Sequence, residues 1–147
     1  GDGVVAFFLA ETAGSESAAA RACIETARTL RTAVVDIADR SGLQPSDVSL
    51  RFGLHWGATL YVGWIITVGR SEVTAIGDEV NEAARIEACA TGSRTFASKL
   101  LLERLNTSDA QALAIDSQHA TYTLLGDLDT ATDKARRDVP AIAVCDV

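Results

Sequence analysis

Residues 74–85, which read TAIGDEVNEAAR, place a Gly-Asp turn directly before a helical segment. Asn81 and Arg85 stand four residues apart in that segment, and side chains at this spacing share one face of a helix. An amide that can orient a sugar oxygen and a guanidinium that can hold a phosphate therefore point in the same direction. Ala83 and Ala84 lie between them and permit close packing of the helix. The segment predicts a helix that carries a polar pair on one face.

Short apolar runs and helical periodicity alternate through the rest of the chain. Residues 4–9 form an apolar run of strand length, and apolar residues from Ala20 to Ile37 recur at a 3-4-3-4-3 spacing. That spacing is typical of a core-facing helix, which we expect to follow a polar loop at residues 11–17 and to end near Asp39. Further strands are predicted at 48–57, 59–68, 72–76, around Phe96, at 122–125 and at 141–144, with a short helix at 99–105 and a helical turn near Ala110.

This alternation of strands and helices indicates an α/β or α+β sandwich. No linker divides the chain, so residues 1–147 are predicted to form one domain. Residues 127–138 are polar and charged and are predicted to form a mobile loop.

Composition and charge argue against several classes of function. The 147 residues are 48% hydrophobic and 22% charged, which is close to an average globular domain. The formal net charge of -7 disfavours nonspecific binding to nucleic acid or anionic lipid. No apolar run reaches the ~20 residues of a membrane span, and no signal peptide is visible. We therefore expect a cytoplasmic domain with no membrane span of its own, either by itself or within a larger or membrane-anchored protein.

The cysteines and the first residue add two further expectations. Cys23, Cys89 and Cys145 contain no CxxC pair, which disfavours a zinc site or a disulfide framework and favours small buried residues in a reducing cytosol. The chain begins at Gly1 and contains no methionine, so we expect it to be part of a longer protein.

Two motifs together resemble class III nucleotidyl cyclases, the family that makes cyclic AMP or cyclic GMP. Residues 74–85 are similar to the Asn-x-x-x-Arg helix of that family, and Gly1-Asp2-Gly3 followed by VVAFF is similar to its metal-binding hairpin. Residues 51–57 match its Arg-x-Gly-x-His-x-Gly stretch. The resemblance covers the whole chain and corresponds to the later three-quarters of a cyclase catalytic domain. It implies an α+β fold, a ferredoxin-like sandwich with a mainly antiparallel sheet flanked by helices.

The resemblance also implies a role for each motif residue. Asp2 would be the second of two aspartates that bind two divalent cations, Mg²⁺ or Mn²⁺, and the first would lie on a strand that precedes Gly1. Asn81 would hydrogen-bond the ribose ring oxygen, and Arg85 would stabilise the charge that develops on the α-phosphoryl group. Thr74 stands where the family reads the purine, and a threonine there favours ATP over GTP. The implied activity is that of an adenylate cyclase, which forms cyclic AMP and pyrophosphate from ATP.

The implied assembly is a head-to-tail dimer, in which one subunit supplies metal ligands and the other supplies the Asn/Arg pair. Because Asp2 and the Asn81/Arg85 pair occur on one chain, the resemblance implies a homodimer with two shared sites, which binds ATP and no nucleic acid. Residues 63–67, GWIIT, replace the family's more usual Gly-Asn-Ile-Gly run. This apolar hairpin predicts a protein–protein contact, and a core position for Trp64 is the alternative.

Other interpretations of these residues stay open. Asn81 and Arg85 could be ordinary surface residues, with Arg85 paired to neighbouring glutamates, and Gly-Asp-Gly could be a plain turn. The domain could bind nucleotide without turning it over, could be a guanylate cyclase, or could be a non-enzymatic α/β scaffold. His55 is predicted to be packed and structural, and neither it nor His119 has a nucleophile partner for a hydrolytic triad. Three basic residues near the C-terminus could cover a triphosphate or could lie on a solvated loop: Lys134, Arg136 and Arg137.

Overall fold

The computed structural model describes residues 3–44, 48–58, 61–116 and 119–147, which form six α-helices and six β-strands. The helices are α1 (Ala10–Ala13), α2 (Glu16–Arg40), α3 (Asp78–Cys89), α4 (Lys99–Leu102), α5 (Thr107–Ala112) and α6 (Asp133–Asp138). The strands are β1 (Phe52–Leu54), β2 (Tyr61–Thr67), β3 (Arg70–Ile76), β4 (Thr95–Ser98), β5 (Thr123–Leu124) and β6 (Ala143–Asp146). A 3-10 turn, Leu125–Asp127, follows β5. The predicted α+β class is confirmed.

The strands form one mixed sheet and one separate hairpin. The sheet has the order β1-β4-β6-β5, with β1 parallel to β4 and the other two pairings antiparallel. Strands β2 and β3 pair with each other, antiparallel, with Tyr61 opposite Ile76, and with no other strand of the described residues. The predicted hairpin is therefore present, and it stands apart from the four-stranded sheet.

Each face of the four-stranded sheet carries its own core, because successive residues of a strand point to opposite faces. On one face Ala97 of β4 packs with Ile24 of α2 and Leu101 of α4. On the other face Phe96 packs with Ile86 of α3 and with α6. Helices α2 and α4 thus cover one face of the sheet, and α3 and α6 cover the other.

The apolar stripe of α2 is buried only in its N-terminal half. Ser15 caps the helix by accepting a hydrogen bond from the Ala18 N–H at 3.0 Å, and Ala20 and Ala27 are buried in the core. Leu30 and Ile37, which continue the stripe, are exposed. The predicted core-facing stripe is therefore confirmed for the first half of the helix and wrong for these two residues.

Other predictions also needed correction. Residues 4–9, predicted as a strand, lie in no strand, because no described strand pairs with them. Residues 127–138, predicted as a mobile loop, contain α6, which Thr132 caps by accepting a hydrogen bond from the Ala135 N–H at 3.1 Å. The fully buried Ala135 anchors this helix to the second core.

Three boundaries changed as well. The predicted strand 48–57 is reduced to Phe52–Leu54, the loop predicted at 11–17 overlaps α1 and the start of α2, and the helix predicted at 99–105 ends at Leu102.

Gly53 of β1 sets how closely α3 approaches the sheet. A Cβ atom at Gly53 would lie 2.3 Å from the Glu87 backbone nitrogen and 2.6 Å from the Ala83 carbonyl oxygen. Only a glycine leaves room for the helix backbone at this distance. The ion pair between Arg51, the residue before β1, and Glu87 of α3 lies beside this contact. Helix α3 therefore rests directly on β1.

Candidate functional site

Helix α3 begins where the sequence predicts, and it presents the predicted polar pair. Gly77 is the N-cap, and the Asn81 N–H donates to the Gly77 carbonyl at 3.3 Å. Asp78 and Glu79 occupy the first turn, where acidic side chains interact favourably with the helix dipole. This helix start places the Asn81 side chain one turn into the helix.

Asn81 and Arg85 line one cleft of about 390 Å³ on the protein surface. Asp78 and Glu82 of α3 share the lining, and the opposite wall comes from the end of α6. The cleft lies between two helices on the same face of the sheet, so the packing of α6 determines its second wall. The described residues that line it are Asp78, Asn81, Glu82, Arg85, Asp138 and Val139.

Arg85 pairs with a carboxylate from α6 rather than with the glutamates beside it. Its Nε lies 3.3 Å from Oδ2 of Asp138. Arg137 binds the same carboxylate, with its Nε 2.7 Å from Oδ1 and its Nη2 3.3 Å from Oδ2. The hydrogen bond from Arg137, followed by that from Arg85, holds the pKa of Asp138 below its usual value. Two guanidinium groups therefore converge on one anion at the edge of the cleft.

The three basic residues of α6 differ in what they contact. Arg136 directs its Nε at the Gly126 carbonyl, at 3.4 Å, and its Nη2 at the Leu128 carbonyl, at 3.5 Å. Lys134 is exposed. Of the three, Arg137 is the one that shares a partner with Arg85.

The observed contacts do not test the roles of the predicted metal ligand, Asp2, and the predicted base-binding residue, Thr74. Asp2 lies outside the described residues, so its role as a metal ligand stays a prediction. Within the described ranges, no group of three or more His, Cys, Asp or Glu side chains is arranged to hold a metal ion. The backbone of Thr74 lies in β3, opposite Gly63 of β2, and its role in reading the base also stays a prediction.

His55 is buried, as the sequence predicts, but its neighbour was not foreseen. Its side chain is 1% exposed, and its Nε2 lies 2.8 Å from Oε2 of Glu82, a residue that lines the cleft. Burial lowers the pKa of His55, while the carboxylates of Glu82 and Glu79 act in the opposite direction. No local sequence signal connects His55 with Glu82, because the contact depends on how α3 rests on β1.

The hairpin exposes large apolar side chains to solvent. Trp64 is 69% exposed and Ile66 is 79% exposed. Trp64 therefore does not occupy the core of this chain, which was one of its two predicted positions. The predicted protein–protein contact is compatible with this exposure.

No helix of the described residues is both long enough and apolar enough to cross a lipid bilayer. Comparison of the chain with protein-family models, with curated proteins and with solved structures gave no match.

Proposed function

We propose that this chain is the catalytic domain of a class III adenylate cyclase, which converts ATP into 3′,5′-cyclic AMP and pyrophosphate. The observation that carries the proposal is the position of Asn81 and Arg85, which line one cleft from a helix that begins at a Gly-Asp turn. The finer fold that we propose is a ferredoxin-like sandwich with a mainly antiparallel sheet. Helices on both faces of the four-stranded sheet support this assignment.

In the proposed reaction the ribose 3′-oxygen attacks the α-phosphorus of ATP. The bond between the α-phosphorus and the bridging oxygen breaks, pyrophosphate leaves, and the proton of the 3′-hydroxyl passes to solvent. Negative charge grows on the α-phosphoryl oxygens during this step, and Arg85 would offset it with its planar set of N–H donors. Asn81 would donate a hydrogen bond to the ribose ring oxygen and so hold the sugar in place for attack.

Asp2 is the proposed ligand for two divalent cations, Mg²⁺ or Mn²⁺. Such ions, when bound, lower the pKa of a coordinated hydroxyl and offset the charge of a leaving phosphate. Among the described residues, no group of three or more His, Cys, Asp or Glu side chains is arranged to hold such ions. The part of the chemistry that can be argued from their contacts is therefore the part assigned to Asn81 and Arg85.

The cleft must exchange one anion for another when a triphosphate binds. Asp138 accepts hydrogen bonds from both Arg85 and Arg137. A phosphate oxygen competes for the same donors, because guanidinium groups bind phosphate and carboxylate with similar geometry. Arg85 is thus held in the cleft by Asp138 until substrate arrives.

We further propose a head-to-tail homodimer with two shared sites, in which Thr74 contacts the adenine. Two features support this assembly: the cleft is open on the single chain, and the adjoining hairpin exposes Trp64 and Ile66. The proposed function involves neither nucleic acid nor a membrane span in this chain. A cytoplasmic location follows from the substrate that is proposed.

The decisive experiment is product formation by the purified full-length protein with Mn²⁺, given ATP and GTP separately. Cyclic AMP from ATP alone is the expected result. Cyclic GMP from GTP would instead identify a guanylate cyclase and contradict the role of Thr74. Tight nucleotide binding without either product would identify a non-catalytic module, and absence of both binding and product would overturn the family assignment.

A further inference from the structure

The His55 imidazole lies beneath α3 without a good hydrogen bond. Its side chain is 1% exposed, and within the described ranges neither ring nitrogen has a hydrogen-bond partner of acceptable geometry. Its Nε2 is nevertheless 2.8 Å from Oε2 of Glu82, so the contact is an ion-pair distance with an unfavourable angle. A buried polar group in this condition is costly to keep. An apolar residue would fill the same space without that cost.

Glu82 belongs to two surfaces at once. It lines the cleft beside Asn81 and Arg85, and its carboxylate reaches inward to His55. Glu79, one turn earlier, lies against Gly57, where a Cβ atom would be 2.6 Å from the Glu79 Cβ. The segment after β1 therefore packs tightly under the first two turns of α3.

We propose that His55 is a positioning residue for the cleft: through Glu82 it fixes the rotation of α3 and so aims Asn81 and Arg85 together. It makes no contact with the proposed substrate itself. The identity of the cleft's ligand, a nucleoside triphosphate, rests on the proposed function. The contact by which His55 positions α3 is independent of that function.

The charged groups that act on His55 make this link sensitive to pH. Within the described part of the chain they are Glu82 and Glu79, both from α3. Burial lowers the pKa of His55 below 6.5 and outweighs the two carboxylates. The unfolded chain therefore takes up a proton before the folded chain does, and stability falls as the pH drops below about 6.5. Removing the Glu82 charge lowers the His55 pKa further.

The first test needs no enzymatic activity. The ring signals of both histidines are titrated by NMR in the wild-type protein and in Glu82→Gln, which leaves His55 in place. Amide exchange of residues 81–85 is then compared between His55→Gln and His119→Gln. His119 is a matched control, since it also meets a carboxylate, Asp116, at 2.7 Å but is exposed.

The expected result is a lower His55 pKa in Glu82→Gln than in the wild-type protein. Exchange of the α3 amides should rise about tenfold in His55→Gln and stay constant in His119→Gln. An unchanged His55 titration in Glu82→Gln would overturn the proposal, and so would equal exchange in the two histidine variants.

The second test uses turnover of ATP as a function of pH. His55→Gln should lower kcat about tenfold with little change in KM, because misaimed side chains lose stabilisation in the transition state. It should also remove the decline of activity that the wild type shows as the pH falls through the His55 pKa, which lies below 6.5, whereas His119→Gln should match the wild type. A rise in KM alone would contradict positioning. If the wild-type protein forms no cyclic nucleotide, the proposed function fails, while the titration and exchange results still test His55.

Discussion

Arg85 and Asp138 form an ion pair across the cleft, with Nε 3.3 Å from Oδ2, although they are 53 residues apart in the sequence. The pair joins α3 to the last turn of α6 and occupies the Arg85 Nε–H, one of the donors that a phosphate would need. Arg137 binds both oxygens of the same carboxylate. The cleft thus contains an internal anion at the position proposed for the α-phosphoryl group.

Replacing Asp138 by Asn should strengthen the binding of polyphosphates to the cleft. The substitution keeps the shape of the side chain and removes the charge that competes for Arg85 and Arg137. We expect affinity for tripolyphosphate and for ATP to rise about three- to tenfold, measured by calorimetry at low ionic strength. Asp133→Asn is the control, because it removes the same single negative charge from an exposed residue in the first turn of α6. Equal gains in the two variants would mean that net charge, and not the ion pair, controls binding.

The same ion pair predicts that the stability of the fold depends on pH in the acid range. The pKa of Asp138 is depressed in the folded chain, mainly by Arg137. Its contribution to stability is therefore present above the unfolded pKa of 3.8 and is lost as the pH falls through the lower folded pKa. Asp138→Asn should flatten the decline of melting temperature below pH 3.8 relative to the wild type, whereas an unchanged profile would show that the pair does not stabilise the fold.

Arg85→Ala should reduce turnover far more than it reduces stability. If Arg85 stabilises the transition state, kcat should fall by about 10²–10³-fold. The melting temperature should change little, because a partly exposed ion pair contributes little to folding. Arg104→Ala is a matched control, since Arg104 pairs with Glu16 at 3.2 Å and does not line the cleft. Parallel loss of stability and activity in Arg85→Ala would identify Arg85 as structural.

The sequence was sufficient to predict the elements that carry local signals. The Gly-Asp turn and the i, i+4 spacing correctly place α3, and the strands predicted at 59–68 and 72–76 correctly place the hairpin. Residues 4–9 and 127–138 were predicted wrongly for opposite reasons. The first has the composition of a strand but no described partner edge, and the second has the composition of a loop but is held by the buried Ala135 and by the Thr132 cap.

The walls of the cleft depend on contacts that no local pattern encodes. Asn81 and Arg85 were predicted together because one helix carries both. Asp138 and His55 reach α3 from different elements, and their positions follow from how α6 and β1 pack against the sheet. The Gly53 signal was present in the sequence, but a glycine in a strand indicates close approach without naming what approaches.

Gly53→Ala should disturb the packing of α3 against β1. The new Cβ would lie 2.3 Å from the Glu87 nitrogen, which is backbone and cannot rotate away. We expect a loss of about 1–3 kcal/mol in the free energy of unfolding, measured by urea denaturation. Gly63→Ala, in β2, is the control because nothing lies within 4 Å of its added Cβ, and it should change stability by less than about 0.5 kcal/mol.

The two variants also distinguish the effect of displacing α3 from the general effect of replacing a strand glycine by alanine. Gly53→Ala should lower activity under conditions where the protein is still folded, because the helix that carries Asn81 and Arg85 is displaced. Equal effects of the two alanines on unfolding would contradict the observed close contact between β1 and α3.

Ile66→Lys should disrupt the proposed dimer. Trp64 and Ile66 project from a hairpin that pairs with no other strand in the described part of the chain, and a two-stranded hairpin gains stability when its apolar side chains are covered. A lysine at position 66 places a charge in that contact, so we expect the dissociation constant to rise at least tenfold in sedimentation equilibrium. Product formation at low protein concentration should fall in parallel, since each shared site needs two subunits.

Ile37→Lys is the matched control for that experiment. Ile37 is also an exposed isoleucine, 59% accessible, but it lies on α2 and outside the hairpin. If only Ile66→Lys dissociates the protein, the hairpin carries the contact. Dissociation by Ile37→Lys alone would move the interface to α2. A wild-type protein that is monomeric and fully active at the assay concentration would contradict the shared-site dimer, because one chain would then supply every catalytic group.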